Sequence, residues 1–258
     1  MQNTVQLPFI TATWQIKLPT VVRYLEKGYV ENFFSTGELM LASVKKFHQH
    51  ADEQRGDTEE GLAQLNVLVN ETPVVGLVGS GSNAFILSTS CIDDESLMQQ
   101  LNYDAAIRIV DTIGFAAAIA ECIPFFRHGT QGYCIYRDSK RIMRKIKKPN
   151  LPDFPPKTGA EAEKYFHEMN AALAEANAHE SLFRKALRYA SQAEYRFIWF
   201  ADSAIEKDSI IIKCPKAIQF CEKIDDFPKD SELSTTVAGA KMSILTQAEF
   251  NKQYPSES

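Results

Sequence analysis

Three short segments of this chain hold residue types that do chemistry. The first, Gln192-Ala193-Glu194-Tyr195-Arg196, sets a carboxamide and a carboxylate two residues apart. In a strand, residues two apart project from the same face, so Gln192 and Glu194 are expected to serve one reacting centre. A carboxylate there opposes positive charge developing on a sugar carbon, and a carboxamide orients a nucleophile. The second, Phe85-Ile86-Leu87-Ser88-Thr89-Ser90, is an apolar run that ends in three hydroxyls. The third, Val22-Arg23-Tyr24, carries a guanidinium, a planar fork suited to phosphate.

Each segment needs an element to position it. The β-branched and aromatic stretch 20–25 predicts a strand bearing Arg23. Val30, Phe33 and Phe34 have helical spacing and Gly37 suits a C-cap, which predicts a helix over 28–37 and a strand over 38–43. Residues 48–64 read as a polar surface loop or short helix, with Arg55-Gly56-Asp57 as a turn. Strands are expected at 66–69, 74–78, 84–90, 105–110, 132–137, 193–200 and 209–214, and helices at 93–101, 112–123, 159–178 and 181–190. Four prolines in 149–156 exclude a helix interior there. Strands and helices mix without strict alternation, so the fold class is α+β.

Composition narrows the partners. The 258 residues are 45% hydrophobic and 24% charged, an ordinary globular balance that excludes collagen, coiled coil and wholesale disorder. A net charge of −5 excludes a general basic coat for nucleic acid. Residues 137–148, RDSKRIMRKIKK, nevertheless hold seven basic residues against one acid. Lys140, Arg141, Arg144 and Lys145 are the candidates for phosphate-backbone contact. The alternatives are a solvated face, a contact with the acidic residues near 52–60, or a dock for an acidic partner. Five scattered cysteines without a C-x-x-C pair give neither a disulfide framework nor a zinc site, and the five histidines lack ligand spacing. Gly79-Ser80-Gly81-Ser82-Asn83 lacks the context of a dinucleotide fingerprint. The N-terminus has no basic start followed by an apolar run, and the apolar stretch 113–123 is too short for a bilayer. A soluble cytoplasmic protein without a metal or a membrane partner is the expectation.

An arginine on the first expected strand, an aromatic-x-x-Ser-Thr-Ser strand and a Gln-x-Glu opening a later strand occur here in that order. Together they resemble the three-part signature of toxin-type mono-ADP-ribosyltransferases, the Arg-Ser-Glu class. The chain also resembles an uncharacterised bacterial family with a Phe-bearing helix, a D-E-x-R-G-D-x-x-E-G stretch (here 52–61) and a late Glu-Tyr-Arg strand.

The first resemblance implies one catalytic domain over 1–258. It would have a split antiparallel β core, flanking helices, a helical insertion near 159–190 and a polar tail from about 231. It implies NAD as the substrate that supplies ADP-ribose. Glu194 would bond the nicotinamide-ribose 2′-hydroxyl and stabilise the oxocarbenium, while Gln192 would orient the acceptor. Ser88 would support Glu194; Thr89, Ser90 and Tyr24 would shape the NAD site; Arg23 would meet the phosphates or ribose. Gln rather than Glu at 192, with the basic run, points to a nucleic-acid acceptor, RNA before protein. The setting implied is a toxin of a toxin–antitoxin or phage-defence system, with an antitoxin as a possible partner. The family's aromatic-bearing loop before Gln-x-Glu is replaced here by the helical-looking ALRYAS, where Tyr189 is the candidate aromatic.

Other roles stay open for the same residues. Arg23 suits a sheet edge, Ser-Thr-Ser suits a helix cap near Asp93, and Glu194 suits a surface pair with Arg196 or Arg188. An NAD glycohydrolase needs the same residue set. A non-catalytic nucleic-acid or protein-interaction module needs only the fold.

Overall fold

The computed structural model describes residues 3–6, 13–16, 18–49, 61–69, 72–139, 141–146, 157–177 and 179–224. All of them fall within Met1–Asp225, the first of the two units into which the chain divides. The Arg-Gly-Asp turn, the proline-rich stretch and the polar tail lie outside the described residues.

Elements follow in the order β1 (Asn3–Gln6), β2 (Thr13–Ile16), β3 (Val21–Leu25), α1 (Lys27–Thr36), β4 (Glu38–Ser43), α2 (Val44–Gln49), β5 (Leu62–Val69) and β6 (Thr72–Gly79). Next come β7 (Ala84–Ser90), α3 (Glu95–Gln100), β8 (Ala105–Ile109), α4 (Thr112–Ala120), β9 (Phe126–Tyr133), β10 (Ile135–Arg137) and β11 (Arg141–Ile146). The last are α5 (Gly159–Asn177), β12 (Arg184–Ala186), β13 (Glu194–Ala201), β14 (Ser209–Lys213), α6 (Pro215–Ile218) and β15 (Cys221–Ile224). Two 3-10 turns, Glu180–Phe183 and Leu187–Gln192, flank β12. The fold is α+β, as the sequence predicts, and its sheets are mostly antiparallel.

β7 is the hub of an eight-stranded antiparallel sheet. Along one edge it pairs with β13, from Ala84↔Phe200 to Ser90↔Glu194, and β9 pairs on the far side of β13. Its other edge is shared. β4 takes the start (Ser43↔Phe85, Ala42↔Ile86) and β3 the end (Val22↔Ser90). β14 extends β4, while β8 and β15 extend β3. The sheet therefore forks beside Leu87 and Ser88.

Strand alternation gives β7 and β13 two different faces. Phe85, Leu87, Tyr195, Phe197 and Trp199 join the main core under α1 and α4. Asp111 caps α4 by accepting from the Ile113 and Gly114 amides at 3.1 and 2.9 Å, and Phe115 of that helix meets Phe197 edge-on at 5.4 Å. The opposite face begins apolar, with Ala84, Ile86, Ile198 and Phe200. It then turns polar, with Ser88 opposite Arg196 and Ser90 opposite Glu194.

Several expectations change. Residues 181–190 are not one helix: β12 interrupts two 3-10 turns because Ile135, Tyr136 and Arg137 offer it a parallel strand partner. Tertiary pairing overrides local helix propensity here. Of the implied helical insertion only α5 is regular helix. The basic run is strand β11, parallel to β5, with Ile142 buried between exposed Arg141 and Met143. β9 went unread as a strand from its start because FRHGTQG has no alternation to detect. α2, α6 and β15 are too short for their periodicity to be read.

Gly37 closes α1 at φ 74°, its amide reaching the Phe33 carbonyl at 2.7 Å. A Cβ at this position would lie 2.4 Å from the Cys214 and Pro215 backbone. Gly37→Ala should therefore cost at least about 1 kcal/mol. Urea unfolding measures it, and an unchanged midpoint would contradict this packing.

Candidate functional site

The fork leaves a cavity of about 410 Å³, within the roughly 300–1,000 Å³ common for small-molecule sites. β3, β4 and β7 wall it, with β12, Gln192 and Glu194 at one side. Arg23, Tyr24, Ser88, Thr89, Ser90, Gln192 and Glu194 all border it. The three segments that carry chemistry in the sequence thus meet at one place.

Their side chains take more structural parts than the sequence implies. At the fork no strand lies beside Ser88, so its carbonyl has no ladder partner there; Arg23 Nη1 donates to it at 2.6 Å. The guanidinium braces the split, because a buried carbonyl without a donor is costly. Thr89 Oγ1 donates to the Tyr195 carbonyl at 2.8 Å, tying β7 to β13. Ser90 Oγ donates to the Gln192 carbonyl at 2.7 Å and accepts from the Ile92 amide at 2.9 Å. The Tyr24 hydroxyl donates to the Ile92 carbonyl at 2.5 Å and accepts from the Asp94 amide at 3.1 Å. Burial pushes that phenol up to about 12. Ser-Thr-Ser does not cap α3; Asp94 does, accepting from the Ser96 amide at 2.7 Å.

Glu194 is the centre of the polar face and is not a surface residue. It is 4% exposed, and each carboxylate oxygen meets a cation. Arg196 Nε donates to Oε1 at 2.5 Å, and Lys185 Nζ donates to Oε2 at 2.5 Å. Arg196 is 0% exposed and also donates through Nη1 to the Leu182 carbonyl. Desolvation pushes the Glu194 pKa up, but Arg196, then Lys185 and the Ser88 hydroxyl outweigh it and hold the carboxyl well below the usual range. The Glu194 amide donates to Tyr136 Oη at 2.6 Å, and burial raises that phenol's pKa.

Gln192 is not on the strand with Glu194. It ends the second 3-10 turn, and Ala193 adopts a left-handed conformation (φ 40°, ψ 51°) before β13 begins. The two side chains still share a partner: Lys185 Nζ also donates to Gln192 Oε1, at 3.2 Å. Tyr189 is buried, and the Lys185 ammonium lies 4.7 Å from its ring centre. Lys185 is a residue of this site that the sequence does not announce. Nothing in a lone lysine between Arg184 and Ala186 announces burial, and its partners come from other elements.

The basic run does not border this cavity through Arg141, which is exposed and gives its carbonyl to Arg184 Nη1 at 2.9 Å. Lys140 and the side chains of Arg144 and Lys145 lie outside the described residues. Among the described residues no group of His, Cys, Asp and Glu is arranged to hold a metal ion. No helix among them is long and apolar enough to cross a membrane. The five cysteines are free thiols. No family model, curated protein or solved structure matches the chain.

Removing one partner of the Glu194 group strands a buried charge. Arg196→Met should lower the unfolding free energy by about 3–5 kcal/mol in urea, and a loss under about 1 kcal/mol would contradict the pairing. The unfolded carboxyl titrates near about 4.3, and the folded one below it. The stabilisation is therefore complete above about pH 5 and drains away as pH falls toward the folded value. Glu194→Gln should flatten that acid slope of stability, and an unaltered slope would locate it elsewhere.

Proposed function

We propose that the chain is an NAD-dependent mono-ADP-ribosyltransferase. One observation carries the reading: Arg23, Ser88 and the Gln192-Ala193-Glu194 segment, three pieces far apart in sequence, border one cavity of small-molecule size at the fork of an antiparallel sheet. In the reaction the bond between ribose C1′ and the nicotinamide nitrogen breaks, and nicotinamide leaves with the electron pair. The acceptor then bonds to C1′ and gives up its proton. Glu194, kept ionised, faces the positive charge that grows at C1′. Arg23 and Lys185 give the wall a positive component suited to a pyrophosphate. The residues fit NAD in kind: an ionised acid, a carboxamide and two cations on one wall. The Gln-x-Glu form together with the basic run 137–148 favours a nucleic-acid acceptor, RNA before protein, and a toxin of a toxin–antitoxin or phage-defence system is the corresponding biological setting.

The competing reading is a binding module that keeps the fold without the reaction. It draws on the engagement of both Glu194 oxygens by cations, which reduces the charge available to an oxocarbenium.

Nicotinamide release from labelled NAD, with RNA, DNA or lysate as acceptor, separates the two. Glu194→Gln, checked for folding, should lower release by about 100-fold or more. Equal release in that variant would remove Glu194 from the chemistry. Free ADP-ribose as the sole product would make the protein a glycohydrolase. If RNA is the acceptor, neutralising Arg141, Arg144 and Lys145 together should weaken its capture and reduce the salt dependence of binding. An unchanged salt slope would leave the basic strand without that role.

A further inference from the structure

Lys185 has no part in any motif of the sequence, yet it is the group that joins the two halves of Gln192-Ala193-Glu194. Because Ala193 turns left-handed, the backbone does not align Gln192 with Glu194 as a strand would. The ammonium restores the alignment: it meets Glu194 Oε2 at 2.5 Å and Gln192 Oε1 at 3.2 Å, with the Tyr189 ring beneath it at 4.7 Å. Its own position is fixed by β12, whose register sets Lys185 directly opposite Tyr136, and Tyr136 Oη in turn takes the Glu194 amide at 2.6 Å. Lys185 is 8% exposed and borders the cavity.

We propose that Lys185 is the positioning residue of this site, an ammonium that clamps the Glu194 carboxylate and the Gln192 carboxamide into one arrangement against the cavity. Its catalytic consequence rests on the transferase reading above; the clamp itself does not. Three donors on a flexible stem suit an ammonium to bridge two acceptors, whereas a planar guanidinium presents its donors in a fixed fork. The groups facing the Glu194 carboxylate are Arg196 from β13, Lys185 from β12 and Ser88 from β7. Tyr136 of β10 meets its amide, and Arg23 of β3 lies on the wall nearby. Arg196 Nε binds Oε1, whereas Lys185 Nζ reaches both Oε2 and the Gln192 carboxamide oxygen, so loss of Lys185 removes the donor that these two groups share.

The test compares full-length wild type, Lys185→Met and Lys185→Arg, each checked for folding by thermal unfolding. One readout is independent of catalysis. Glutamate carboxyls are labelled with carbon-13, the Glu194 signal is assigned by its loss in Glu194→Gln, and its titration is followed by NMR. The wild-type signal should stay ionised below the ordinary carboxylate range, and Lys185→Met should raise its midpoint by ~1 pH unit or more, a tenfold change in proton affinity. The second readout is NAD cleavage. Lys185→Met should lower kcat by about tenfold to 100-fold with KM nearly unchanged, since misplacement of a reacting group acts on kcat. Its activity should also lose its acid side at higher pH than wild type. Lys185→Arg should keep the titration and recover part of kcat.

An unmoved Glu194 titration in Lys185→Met overturns the clamp, and a moved titration with wild-type kcat and pH profile upholds the clamp and overturns its catalytic consequence. If wild type releases no nicotinamide, the transferase reading falls while the titration alone decides the clamp. Should Lys185→Met fail to fold, Lys185→Arg decides: wild-type kcat there overturns the proposal, and a reduced kcat with NAD binding retained upholds it.

Discussion

A carboxylate held between two cations inside the protein is the constraint around which this site is organised. Burying Glu194, Arg196 and Lys185 is costly unless every charge finds close, well-directed partners. That requirement fixes much else. Arg196 needs the Leu182 carbonyl, so the 3-10 turn before β12 must lie against β13. Lys185 must reach Glu194, so β12 must pair with β10 in the observed register. Ser88 must stand opposite Arg196, which fixes the pairing of β7 with β13.

The fork in the sheet is the second constraint, and it explains why the cavity lies where it does. β3 and β4 cannot both continue along one edge of β7, so they separate beside Ser88. The orphaned carbonyl there draws in Arg23. A backbone requirement thereby places a guanidinium on the wall of the cavity, beside an ionised acid. Hydroxyls that look like ligands in the sequence become staples: Thr89 joins β7 to β13, and Ser90 holds the turn that carries Gln192. The same residues serve stability and site geometry, so substitutions in this region are best read with a folding measurement beside any activity.

The legible parts of the fold were those with a strong local pattern. α1 with its Gly37 cap, α4 behind Asp111, and the apolar strands β7 and β13 announce themselves by periodicity and capping chemistry. β10 lies within the expected strand 132–137, but its parallel partner β12 did not announce itself, because a three-residue strand has no period and its stability comes from its partner. The basic run 141–146 was visible as charge, but its buried Ile142 marks it as a strand only once β5 is beside it.

The amino-acid sequence by itself determined part of the site's chemistry: Arg23, the hydroxyls 88–90, Gln192 and Glu194 are chemically conspicuous wherever the chain puts them. Their meeting at one cavity was decided by the tertiary structure, since strand order joins residues that no local rule relates. The tertiary structure alone also decided the electrical state of Glu194. Ionisation depends on burial and on cations from other positions, and Lys185 becomes one of them only after β12 finds β10.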